Sequence, residues 1–295
     1  MKIKSLFFFS LFFLNGVLAS AKQPFANDSI KKGKVILVSS SLGVALAGSY
    51  VYIENSWWSE KQTEFHFDNG SDKVYALNVD KAGHFIGGLQ AADIFSSSMQ
   101  WAGMGKKQSL WYGAAFGSGL QLAIEMKDAY APYWGFSKWD LGLGSAGAFL
   151  PVAKYYSPKL RAFDVKLSYW KRHNTYWDLE KERGKSLHKY AWQDDYVNQT
   201  YWLSVDLNYF NENIPDWLNV AIGFGLDETQ YLNANDTKMG GNNEWYIALD
   251  YDIPKVLKKW KSPTAKKVKH WLNYFHFPAP TIRISPKVEF SPLFL

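Results

Sequence analysis

Six ionisable residues interrupt stretches that otherwise read as apolar helices: Asp80, Lys81 and His84, then Glu125 and Asp128, then Asp140. Charge in such surroundings is costly unless it is paired or functional. Asp80 and His84 are four apart and Glu125 and Asp128 three apart, so on helices each pair shares a face. Lys81 lies one residue round from Asp80, and Asp140 opens the next helix. In an antiparallel bundle these groups meet at one end, and three chemistries are then open. His84 with Asp80, Glu125 and Asp128 could bind a divalent cation. His84, tuned by a neighbouring carboxylate, could act as acid and base. The same groups could also form a buried ion-pair lock that fixes helix register. Plainer roles exist as well, because Ser137 and Asp140 have the S-x-x-D spacing of a capping box and Asp80 suits a helix N-cap. No H-E-x-x-H, G-x-S-x-G or phosphate-loop pattern spells out standard hydrolase machinery.

The elements that must carry these residues are four predicted helices. The first follows Lys34 and runs to Ile53, an uncharged stretch of about 20 residues that could cross a bilayer or serve as a core helix. The second runs from Asn78 or Asp80 to Gly103 and the third from Lys107 to Tyr130. Pro132 and Gly135 break the chain, and the fourth helix runs from Ser137 to before Pro158. Small residues recur at spacing four in Ser39, Gly43 and Ala47, in Gly113 and Gly117, and in Gly144 and Ala148, which lets helices approach closely. A small-residue-rich bundle of four close-packed helices is expected.

After Pro158 the period becomes two. Tyr201 to Phe210 and Leu218 to Leu226 alternate, and Ala162 to Trp170, Glu244 to Asp252 and Thr281 to Phe290 read likewise. Five or six aromatic-flanked strands of around ten residues resemble those of outer-membrane barrels, although a soluble antiparallel sheet packed on the helices fits the same pattern. A basic amphipathic helix near 258–275, with Lys258, Lys259, Lys261, Lys266, Lys267 and Lys269 beside Trp260 and Trp271, suits anionic headgroups or plain solvent.

Residues 1–21 have the Lys2/Lys4 start, apolar run and Ala19-Ser20-Ala21 site of a secretory signal, or else of an uncleaved anchor. The chain has 295 residues, 18% aromatic, with 14 Trp, a net charge of +6 and no Cys. The aromatic content favours membrane contact, the absence of Cys excludes thiolate metal sites and Cys nucleophiles, and the spread charge gives no ground for nucleic-acid binding.

The motifs D-K-x-x-H-F (Asp80, Lys81, His84, Phe85), E-x-x-D (Glu125, Asp128) and S-x-x-D followed by a small-residue helix (Ser137, Asp140, Gly147) resemble, in that order, the DUF2279 family of YfiM-like predicted periplasmic lipoproteins. A more distant resemblance is to VanZ-like membrane proteins. The DUF2279 resemblance covers about residues 75 to 155 and implies a location and a set of site residues, without a reaction. Ile124 stands where the family tends to have Lys, which would move the ion-pair pattern to Lys127, and the lipoprotein Cys is missing.

The expectation is therefore an α+β, membrane-associated protein. Residues 1–21 form a signal peptide, 22–157 a helical unit and 158–295 an antiparallel, outer-membrane-barrel-like β-sheet. Its place is the cell envelope of a Gram-negative bacterium, at the outer membrane or periplasmic face, with membrane lipid as partner and a structural or lipid-binding role. The alternative is an envelope enzyme acting on a lipid-linked or phosphorylated substrate through the cluster, with or without a divalent metal.

Overall fold

A computed structural model describes residues 30–56, 58, 61–70, 73, 76–132, 134–182, 192–229 and 241–294. The expected leader and its cleavage site lie outside them.

The helical half comprises α1 (Lys32–Ser56), α2 (Val79–Trp101), α3 (Lys106–Asp128) and α4 (Lys138–Tyr156). Helix α2 enters through Leu77 and Asn78 at φ 44° and 67°, so Asn78 is its N-cap and Asp80 already lies inside the first turn. The expectation of Asp80 as a cap is thereby corrected. Ser137 does cap α4, its hydroxyl accepting from Asp140 N–H.

Three of the four helices pack closely. A Cβ on Gly88 would stand 1.9 Å from Gly144 O, and one on Gly147 1.9 Å from Phe85 O. At such separations only glycine fits, and backbone contact replaces side-chain packing. Helix α1 differs from the expected fourth member of the bundle. Val38 and Leu42 rest against Phe95 and Met99, while Ile36 and Val44 are exposed and Gly43 has nothing within 4 Å of its Cβ position. Among the described residues, α1 is the helix long and apolar enough to cross a membrane.

The second half is one antiparallel sheet in the order β1 (Phe163–Tyr169), β2 (Gln199–Asp206), β3 (Leu218–Leu226), β4 (Asn243–Tyr251), β5 (Ala279–Ser285) and β6 (Glu289–Phe294). The stretch expected as one strand over Thr281 to Phe290 is a hairpin of two. The short helix α5 (Thr175–Glu182) follows β1, and α6 (Ile253–Val256) and α7 (Pro263–Leu272) lie between β4 and β5. The outer edge of β1 is met by a parallel bridge from Phe275 to Leu167, with Leu167 N–H donating to Tyr274 O and His276 N–H to Leu167 O. The sheet curls enough for Phe294 at its far end to touch Trp202 of β2, ring centroids 6.1 Å apart.

Alternation along the strands gives the sheet two different faces. The buried face carries the polar Lys166, Ser204, Asn219, Glu244, Asp250 and Thr281 together with Trp202, Ala221, Tyr246 and Ala248. Lys166 is 0% exposed and 2.6 Å from Asp250, which also faces His276 at 3.0 Å and accepts from Ser204 at 2.5 Å. The opposite face carries Leu203, Ile222, Trp245, Ile247, Leu249 and Ile282, each at least 40% exposed. Register stacks them: Leu203 opposes Ile222, Ile222 opposes Ile247 and Ile247 opposes Ile282.

The halves meet where Val79 and Ile86 of α2 pack with Tyr201, Leu226, Tyr176 and Leu179. At the other end of α2, Asp93 accepts from Tyr274 at 2.6 Å and pairs with His270 of α7 at 2.5 Å.

Candidate functional site

Helices α2, α3 and α4 converge at one end, as the antiparallel order of short-looped helices requires. The first two turns of α2 supply Asp80, Lys81 and His84, the last turns of α3 supply Gln121 and Glu125, and the first turn of α4 supplies Asp140. Strand β2 closes the space with Gln199 and Tyr201, leaving a cleft of about 260 Å3. Gly83 permits that approach, since a Cβ there would lie 2.9 Å from the Tyr201 hydroxyl.

Lys81 Nζ sits between Asp80 Oδ2 at 3.1 Å and Asp140 Oδ1 at 3.2 Å, with all three side chains under a tenth exposed. Glu125, 1% exposed, accepts from the Ser137 N–H at 2.9 Å through Oε2. Its other oxygen is 3.8 Å from His84 Nδ1, which is nearer, at 2.9 Å, to Gln121 Oε1. Donation from Nδ1 to Gln121 places the lone pair of a neutral His84 imidazole on Nε2. Burial, followed by the charges of Asp80 and Asp194, pushes the Tyr201 phenol up, so it stays a neutral O–H donor, to Gln199 Oε1.

Two arrangements share this space. One is an ion-pair relay of Asp80, Lys81 and Asp140 that fixes α2 against α4. The other is a donor set: His84, Glu125 and Asp140 each present one ligand atom, all within 4.8 Å of one another. A His and two carboxylates suit a borderline divalent ion such as zinc or manganese, and His84 beside Glu125 also suits proton transfer. Of the residues singled out from the sequence, Asp80, Lys81, His84, Glu125 and Asp140 come together. Asp128 lines the same cleft, but its Oδ1 accepts from Trp58 Nε1–H at 2.6 Å. Asp140, rather than Asp80 or Asp128, completes the donor set with His84 and Glu125. Lys127 turns away, to Glu54 at 2.7 Å.

Sequence reasoning missed Gln121, Gln199 and Tyr201. A Cβ on Gly144 would lie 2.5 Å from the Gln121 side chain, so the small-residue stripe of α4 is also the room in which Gln121 lies.

Residues 64–156 match the model of DUF2279, described as a predicted periplasmic lipoprotein. The matched span contains the helical residues of the cleft, Asp80, Lys81, His84, Gln121, Glu125 and Asp140, but not Gln199 or Tyr201. No curated protein and no solved structure matches the chain.

Proposed function

We propose that this cell-envelope protein is apposed to lipid, laying the apolar outer face of its sheet against acyl chains while the helical half carries the polar cleft. The observation that supports this reading is the inverted polarity of the sheet. In water, an exposed face of Leu203, Ile222, Ile247, Leu249 and Ile282 over an interior of Lys166, Asp250 and Glu244 would be the wrong way out. Against lipid it is the expected order, with polar residues inside and apolar residues outside. Along β4 the exposed face reads Trp245, Ile247, Leu249, Tyr251, an aliphatic band between two aromatics, about 20 Å long at about 3.4 Å per residue. Completing the burial of a half-exposed aliphatic side chain contributes about 1 kcal/mol, so the five contribute on the order of 5 kcal/mol.

The test exploits the absence of Cys. In Ile247→Cys carrying an environment-sensitive fluorophore, and reconstituted in phosphatidylcholine vesicles, emission should shift to the blue and be quenched by brominated acyl chains. The same label at Lys259→Cys should show neither effect. A water-exposed spectrum at position 247 would overturn the reading, whatever α1 does in the membrane.

A second reading is favoured by the convergence of His84, Glu125 and Asp140. It makes the cleft the site of an envelope enzyme acting on a lipid-linked or phosphorylated substrate, with His84 as acid and base or these three residues as ligands. Elemental analysis of purified protein tests the metal arm. Stoichiometric metal that is lost in Glu125→Gln supports it, and metal-free protein whose melting temperature ignores added zinc or manganese counts against it.

A further inference from the structure

A second cavity lies in the other half of the molecule, on the concave inner face of the sheet between the end of β1 and the β5–β6 hairpin. Its volume is about 500 Å3, within the range of small-ligand sites. One wall is apolar and is made by Trp170, Pro278, Leu293 and Phe294. The other carries two guanidinium groups held on either side of one buried carboxylate. Arg172 Nη2 is 3.0 Å from Glu244 Oε2, and Arg283 Nη1 is 2.8 Å from Glu244 Oε1. Tyr246, 1% exposed, donates to Glu244 and accepts from Arg172.

Each guanidinium has five N–H groups. Among the described residues, Arg172 directs three bonds to Tyr246, Val197 O and Glu244, and Arg283 three to Glu244, Glu289 and Lys287 O. Both retain donor capacity. Two cations face one buried carboxylate, and the second carboxylate, Glu289, stands at the rim with its side chain 61% exposed. An anion entering the cavity therefore shares both guanidinium groups with Glu244 and displaces Glu289, whose carboxylate water can solvate. The cavity thus joins spare, charge-assisted donors to an apolar wall, a combination suited to a ligand with one anionic head and one apolar body.

We propose that this cavity binds a single-chain anionic amphiphile, a fatty acid, with its carboxylate on Arg172 and Arg283 and its chain along Trp170, Leu293 and Phe294. A small polar anion would leave the apolar wall unused, and a neutral lipid would leave the guanidinium donors unmatched. The site is separate from the helical cleft, and its occupancy does not depend on where the outer face of the sheet lies.

The test is equilibrium binding of radiolabelled palmitate to the full chain in nonionic detergent. One saturable site is expected, displaced by unlabelled palmitate but neither by methyl palmitate nor by inorganic phosphate. Arg283→Gln should weaken binding about tenfold, in line with loss of one charge-assisted bond. Ser291→Trp, which fills the cavity from its lining without removing a charge, should abolish binding with the melting temperature preserved. Non-saturable partitioning that is equal in wild type and both variants would overturn the proposal, as would equal competition by methyl palmitate or displacement by phosphate. None of these results bears on the Ile247 label, so the two proposals fail separately.

Discussion

Glu125 divides its carboxylate between two neighbours. Oε2 receives the Ser137 N–H and so ties the end of α3 to the entry of α4, while Oε1 faces His84. Glutamine in its place keeps an acceptor for Ser137, whereas alanine leaves a buried N–H bare and removes the carboxylate that faces His84. Glu125→Ala should therefore lower stability by about 3 kcal/mol and Glu125→Gln by about half that or less, read from urea unfolding. His84→Ala and Gln121→Ala should couple in a double-mutant cycle by about 0.5–1.5 kcal/mol, while His84→Ala and Asp128→Ala, with Asp128 held by Trp58, should simply add. The charged members of the cluster were legible in the sequence because charge inside an apolar stretch is conspicuous. Gln121 was not, since a neutral amide one turn before Glu125 has no spacing signature of its own.

Glycine decides which helices form the bundle. Gly147→Ala would drive a methyl group into the Phe85 carbonyl, so the helices must separate. A loss of about 3 kcal/mol is expected, on the scale of severe overpacking. Gly43→Ala meets nothing and should be neutral or stabilising by about 0.5–1 kcal/mol through helix propensity. Melting of the two variants side by side checks both. The spacing-four pattern was identical in these helices, which is why the sequence suggested four packed members. Spacing shows that a helix can be approached closely; it does not show that another helix is there. The sheet repeats the point, since a period of two in β3 and β4 establishes that the two faces differ without saying which one meets the interior. Lys166, Glu244 and Asp250 lie on the inner face because they find Asp250, Arg172 with Arg283, and His276 with Lys166 there, pairings made between segments distant in sequence.

Across the whole molecule, α2 touches the sheet half at both ends, and its Asp93 end responds to pH. Burial alone would raise the Asp93 carboxyl, but hydrogen bonding and charge from His270, with Tyr274 and Ser97, bring it below its ordinary 3.8. His270 is held above 6.5, chiefly by its hydrogen bond to Asp93, with burial opposing. The lowered carboxyl stabilises the fold above about pH 4 and loses its effect as pH falls further, while the raised imidazole stabilises it below about pH 6.5 and loses its effect as pH climbs through the raised value. Between those limits both act, so the gap in melting temperature between wild type and His270→Ala should be widest near pH 5–6 and shrink toward pH 9. A pH-independent gap would show that the contact is packing alone.

The bridge from Phe275 to Leu167 sets an order of events in time. Strand β1 is synthesised roughly a hundred residues before the segment that covers its outer edge, and such distant pairing forms late. Until then the edge stands open, able to accept the same segment from a neighbouring nascent chain as readily as from its own. Crowding of newly exported chains is thus the circumstance in which this fold would go wrong, through exchanged copies joined at β1.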